Sequence, residues 1–188
     1  MFIKNKNILF IHIPKNAGNS IRQSIETYNE CMQLTAHARI TKLKQEINSN
    51  AMTFAVIRNP WDRLVSSFHY IKKGGSGNVW DLKCQEKIKE YLTFKSFIKS
   101  RGILKVKNDT HFVSQSWFID EPLDYTISYE NLSVSYGEFV SENNLKVKPL
   151  CKINQSNHKH YKQYYDQEMI QIVRDIYKED VENFKYEY

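Results

Sequence analysis

The sequence holds little glycine, proline or cysteine: 6, 4 and 3 of its 188 residues. So few Gly and Pro exclude a collagen-like or low-complexity chain. Cys31, Cys84 and Cys151 are odd in number and widely spaced. They provide neither a disulfide framework nor a metal-ligand cluster, so a reducing, cytoplasmic setting is expected. No run approaches the roughly 20 apolar residues that cross a bilayer. Residues 1–7 lack the apolar core and small-residue cleavage site of a secretory signal, so no integral membrane segment is expected. What is present suits a globular protein: 41% hydrophobic residues and 13% aromatics, read as one compact domain over residues 1–188. The formal charge of +6 suits an anionic ligand and equally a solvated surface. Part of the excess, Lys146, Lys148, Lys152, Lys159 and Lys162 with His158 and His160, gathers near the C-terminus.

The pattern of elements reads as strands alternating with helices. Ile8-Leu9-Phe10-Ile11-His12-Ile13 is a continuous apolar run, as expected of a strand buried on both faces. A tight loop over residues 14–19 follows. From Ser20 a helix begins, with Ile21, Ile25 and Tyr28 on one face and Arg22 one turn from Glu26. Thr53-Phe54-Ala55-Val56-Ile57-Arg58 is a second buried strand. Asn59 is a good N-cap, and Pro60 suits the first position of a helix running to about Lys73. Further on, the sequence predicts a surface loop over residues 74–78, a helix over 84–100 and a strand over 125–129. It also predicts a short helix from Ser135 to Asn144, with Glu138 in a capping box, and a long helix capped by Asp166. The expected class is an α/β layer fold with a mostly parallel sheet.

Two segments carry candidate chemistry. Pro14-Lys15-Asn16-Ala17-Gly18-Asn19-Ser20 joins a buried strand to a helix. The helix N-terminus offers unpaired N–H groups and partial positive charge to an anion. Gly18 allows close backbone approach to a ligand, Asn19 and Ser20 add donors, and Lys15 adds a mobile charge. The Lys stands five residues before Ser20 and the first Gly is missing, so this is not the nucleoside-triphosphate loop G-x-x-x-x-G-K-[ST]. Arg58 ends the second strand, where open α/β sheets expose ligand contacts. A lone Arg there needs an anionic partner. Arg63 and Ser66 follow on the next helix, Arg63 suiting either a phosphate or a salt bridge.

Together the segments running from Phe10 to Ser20 and from Phe54 to Ser66 resemble the 5′-phosphosulfate loop and the 3′-phosphate segment of sulfotransferases. These enzymes use 3′-phosphoadenosine 5′-phosphosulfate (PAPS). The similarity is to the carbohydrate branch that includes chondroitin and heparan 2-O-sulfotransferases and small bacterial members. Weaker echoes are His111-Phe112-Val113-Ser114-Gln115, Tyr129-Glu130-Asn131-Leu132 and a tail with Asn154, Ser156 and Tyr161. The resemblance implies a P-loop-NTPase-like three-layer fold with helices flanking a central, mostly parallel sheet. It implies PAPS as co-substrate and the 3′,5′-bisphosphate (PAP) as product, with fixed cations and dipoles in place of a metal. Lys15, Asn16, Ala17, Gly18, Asn19 and Ser20 would hold the 5′-phosphosulfate. Arg58 and Ser66 would hold the 3′-phosphate, and Asn154 and Ser156 would approach from the C-terminal loop. The family commonly has Thr where this chain has Asn16 and Asn19.

The implied reaction moves a sulfuryl group in line to an acceptor hydroxyl or amine, with a saccharide expected. Lys15 would offset charge on the leaving bisphosphate, and residues 72–115 would supply the acceptor pocket. The base needs a pKa near working pH, which suits histidine. His12 lies inside the first strand and reads as structural; His69 has no clear partner; His158 and His160 sit in the basic tail. His37, in Thr35-Ala36-His37-Ala38-Arg39, matches the family's base position, with His111, Glu26 or Glu30 as alternatives. Two rival readings are a P-loop phosphotransferase using ATP and magnesium, and a nucleic-acid binder that stacks bases on Tyr161, Tyr164 and Tyr165. The modest charge disfavours the second, so no nucleic-acid partner is expected.

Overall fold

The structure, a computed structural model, describes residues 1–151 and 159–188. The sequence-predicted contacts Asn154 and Ser156, and with them Lys152 and His158, lie outside the described residues. In chain order the regular elements are β1 (Phe2–Ile3), β2 (Ile8–Ile11), α1 (Gly18–Glu26), β3 (Cys31–Met32), α2 (Ile40–Ile47) and β4 (Met52–Ile57). Next come α3 (Pro60–Lys72), α4 (Val79–Ile88), α5 (Phe94–Lys99), α6 (Gln115–Phe118) and β5 (Tyr125–Ser128). The last are α7 (Leu132–Glu142), α8 (Gln167–Ile176) and α9 (Lys178–Asn183). The described residues fall into two compact units, one of 1–58 with 115–151, the other of 59–114 with 159–188.

The first unit holds a five-stranded sheet in the order β3-β1-β2-β4-β5. Its core is parallel: β2 pairs with β4 and β4 with β5. β1 pairs antiparallel to β2 and to β3, and β3 forms an edge that the sequence did not disclose. Phe10 and Phe54 are register partners with ring centroids 4.9 Å apart. They join Val56 and Ile127 in a core with Ile21 and Ile25 of α1 and Phe139 of α7. Leu9, Ile11, Ala55 and Ile57 point to the opposite face and are also buried. That two-sided burial is why these strands read as continuous apolar runs. The α/β class with a parallel sheet core is as expected.

Several boundaries differ from the sequence reading. α7 starts at Leu132, and no side chain caps it. Ser135 does not cap it either: its hydroxyl donates to the carbonyls of Ser128 and Asn131 at 3.1 and 3.0 Å. In the second unit Asn59 caps α3 as expected, accepting from the N–H groups of Trp61 and Asp62 at 3.0 and 3.3 Å. The helix expected over 84–100 is two, α4 and α5, because Thr93 and Ser96 form a reciprocal capping box that starts a new helix. The long C-terminal helix also breaks, at Tyr177, whose backbone leaves helical geometry. Its buried hydroxyl donates to the Phe112 carbonyl at 2.6 Å, and burial pushes its pKa up. The core of this unit joins Trp61, Val65 and Phe68 of α3 to Phe97, Met169 and Val173.

Candidate anion-binding and base site

The site is assembled where β2 and β4 end. Beyond β2 the chain turns through residues 12–17 into α1, with Lys15 and Ala17 in left-handed backbone conformation (φ 71° and 58°). Ala17 occupies the N-cap position and provides no side-chain cap, and the first turn of α1 holds no acidic residue. Asn59, Asn78, Thr93 and Asp166, by contrast, cap α3, α4, α5 and α8 with side-chain acceptors. The N-terminal amides of α1, at Gly18, Asn19 and Ser20, thus keep the dipole and donors that attract an anion. Ser20 is buried, Asn19 exposed and Lys15 half-buried.

The fold gives Gly18 a further reason to lack a side chain. A Cβ there would lie 1.9 Å from Cδ2 and 2.0 Å from Nε2 of His12. The His12 ring occupies the space beside Gly18, so the close approach is made by a side chain of this chain. His12 is not inside the strand: β2 ends at Ile11, and the half-buried His12 ring stacks on Phe10 at 5.8 Å. The His37 ring also packs on it, edge-on at 4.6 Å.

His37 is half-buried with φ 53°. Its Nδ1 lies 2.9 Å from the His12 carbonyl oxygen. A carbonyl can only accept, so Nδ1 carries the hydrogen, and in the neutral ring the lone pair sits on Nε2. This is the tautomer a proton acceptor requires. The segment after His37 is tied down within the same unit. The Arg39 guanidinium lies 4.6 Å over the Trp117 ring, Thr41 bonds Asp120, and Lys44 pairs with Glu121.

Arg58 is 5% exposed. Its Nη1 donates to the Lys15 carbonyl at 2.7 Å, and its guanidinium lies 4.0 Å over the Tyr129 ring. The strand-end arginine and the loop are therefore in direct contact. Asn16 is buried, its Nδ2 donating to the Val56 carbonyl at 2.7 Å and to Gln115 Oε1 at 2.6 Å. Its Oδ1 is buried with no hydrogen-bond partner among the described residues. Gln115 is the contributor that sequence reasoning missed; its only signal was its place at the end of the His111–Gln115 echo.

The structure brings Lys15 through Ser20, His37 and Arg58 into one unit. Ser66 lies buried on α3 in the second unit. There Arg63 donates to the Val113 carbonyl at 2.8 Å, Ser67 to the His111 carbonyl at 2.7 Å. His111 Nε2 sits 2.9 Å from Asp81 Oδ1. Asp81 also accepts from the Ser76 backbone and hydroxyl at 2.8 and 3.0 Å. Burial alone would raise the Asp81 pKa; the Ser76 and His111 contacts outweigh it and hold the carboxyl below its ordinary value. Glu26, at the far end of α1 from the loop, bonds Gln33 and faces Arg22, and Glu30 pairs with Lys4. The His69 ring packs on Phe68 and Tyr164. His160 Nδ1 accepts from the Lys162 backbone at 3.4 Å. Tyr161, Tyr164 and Tyr165 pack against the core of the second unit, and the Tyr165 hydroxyl donates to the Trp61 carbonyl at 2.9 Å. Packing therefore explains these rings.

Among the described residues no three His, Cys, Asp or Glu side chains cluster as metal ligands, and no helix is long and apolar enough to cross a membrane. No curated protein and no solved structure matches the chain. The family model described as "Sulfotransferase family" matches residues 1–187. With an uncapped helix N-terminus, a loop lysine and a strand-end arginine joined in one unit, the chain belongs to the sulfotransferase family.

Proposed function

We propose that the protein transfers a sulfuryl group from PAPS to a hydroxyl or amine of a saccharide. The observation that carries this reading is the joining of the α1 N-terminus, Lys15 and Arg58 through the 2.7 Å bond from Arg58 to the Lys15 carbonyl. It supports two adjacent anion positions, as a doubly phosphorylated adenosine requires. The amides of Gly18, Asn19 and Ser20, with Lys15, hold the 5′-phosphosulfate. Arg58 holds the 3′-phosphate. Fixed cations and peptide dipoles serve where other transferases use a metal.

In the reaction the acceptor oxygen or nitrogen attacks sulfur in line with the bond to the 5′-phosphate oxygen. That S–O bond breaks, its electron pair leaves with PAP, and the acceptor proton passes to Nε2 of His37. Lys15 offsets the charge growing on the leaving oxygen, a contribution of ~3–4 kcal/mol for a preorganised donor. Residues 72–115 hold 10 Lys and Arg against 4 Asp and Glu, which suits an acceptor that already carries negative charge.

The test is transfer of radiolabelled sulfate from PAPS to a panel of polysaccharides and small alcohols. Labelled product and equimolar PAP are expected from a saccharide. Absence of transfer across the panel, together with absence of PAP binding, would remove the reading.

A further inference from the structure

We infer that Gln115 is the positioning residue that sets the phosphate loop and the strand-end arginine in one register. Gln115 is 0% exposed. A primary amide offers two acceptor lone pairs and two donors. Oε1 accepts from the Arg58 backbone N–H at 3.0 Å and from Asn16 Nδ2 at 2.6 Å, so both lone pairs are used. Nε2 donates to the Arg58 carbonyl at 2.8 Å. The amide thus brackets the Arg58 residue from both sides, as a neighbouring strand would.

The need for such a bracket follows from the sheet. β4 and β5 pair as far as Ile57 opposite Ser128, and the Tyr129 N–H makes a further bond to the Ile57 carbonyl at 2.8 Å. Arg58 stands one residue beyond β4, and its buried N–H and C=O must find partners. Gln115, 57 residues away in sequence, provides both. The same oxygen then reaches Asn16, between the left-handed Lys15 and Ala17. One buried amide fixes the backbone under the arginine and the centre of the loop together. Arg58 Nη1 on the Lys15 carbonyl closes the circuit.

Resting on the proposed donor reading, this makes Gln115 a determinant of how the two phosphate positions are spaced, although it touches neither. Gln115→Met keeps length and apolar bulk and removes the bonds to Asn16 and to the Arg58 backbone; Gln115→Asn keeps the amide but is one methylene too short to make these bonds together. Calorimetry would compare adenosine 3′,5′-bisphosphate with adenosine 5′-phosphate on each folded variant, with melting curves alongside. The preference of the wild type for the bisphosphate should fall about tenfold or more, the equivalent of one lost hydrogen bond at the second phosphate. A purely structural role would lower the melting temperature and leave the ratio unchanged, and an unchanged ratio overturns the inference. Where both variants fail to fold, hydrogen exchange on the wild type decides. Saturating adenosine 5′-phosphate, which carries no group for Arg58, should still slow exchange of the Arg58 amide several-fold, and unaltered exchange overturns the inference. If the wild type shows no preference for the bisphosphate at all, it is the donor reading that fails.

Discussion

Gly18→Ala separates two explanations of one residue. In a helix the change would gain up to ~1 kcal/mol from propensity alone. Gly18 opens α1, and it is absent from the residues with positive φ, so backbone strain does not oppose the change. The opposition is steric: the added Cβ would sit 1.9 Å from a His12 ring carbon, far inside contact distance. That ring is held between Phe10 at 5.8 Å and His37 at 4.6 Å, so it has no easy way to yield. Overpacking of this kind costs ~1–3 kcal/mol, and the depth of the overlap argues for the upper end. The net expectation is a loss of ~2 kcal/mol, or ~4–8 °C in melting temperature for a chain of this size. His12→Ala made in the same chain opens the space, so the double variant should be less destabilised than the sum of the two single changes. Scanning calorimetry of the four proteins reads all of this. A Gly18→Ala protein that melts above the wild type would refute the argument, since propensity would then have outweighed the His12 contact.

Three further changes address the site and its surroundings. His37→Ala should lower kcat by ~10²–10⁴-fold with bisphosphate affinity unchanged, the signature of a lost proton acceptor; turnover near wild type would remove His37 from that role. Arg58→Ala should weaken bisphosphate binding by ~1.5–3 kcal/mol, the range for a hydrogen bond to a charged group, and calorimetry showing unaltered affinity would contradict the 3′-phosphate assignment. Asp81→Asn tests the His111 contact through pH. Because the Asp81 carboxyl is held below its ordinary value of 3.8, its contribution to stability is present above that value and is lost as pH falls through the lower folded one. Urea melts should therefore show the variant ~1–3 kcal/mol less stable than wild type at pH 7, with the gap narrowing below about pH 3.8; equal stability at pH 7 would refute the argument.

Elements fixed by local chemistry were legible in the sequence. Ile8–Ile11 and Met52–Ile57 are buried on both faces, and their unbroken apolar character says so. Asn59 and Pro60 start α3 where their side chains require. The two-residue strands β1 and β3 are too short to leave a period. α2 buries only Ile40 and Leu43, too few to stand out. The break between α4 and α5 was written in Thr93 and Ser96, but the apolar spacing on either side masked it. Gln115 could not be read locally, because its partners Asn16 and Arg58 lie 99 and 57 residues away. Gly18 was legible as a residue that must lack a side chain; that the space belongs to His12 depends on the fold around it.

The most direct measurement is a crystal structure with adenosine 3′,5′-bisphosphate bound. The 5′-phosphate should rest on the amides of Gly18, Asn19 and Ser20 with the 3′-phosphate on Arg58. A nucleotide seated away from the N-terminus of α1, or with its 3′-phosphate turned from Arg58, would contradict the assignment.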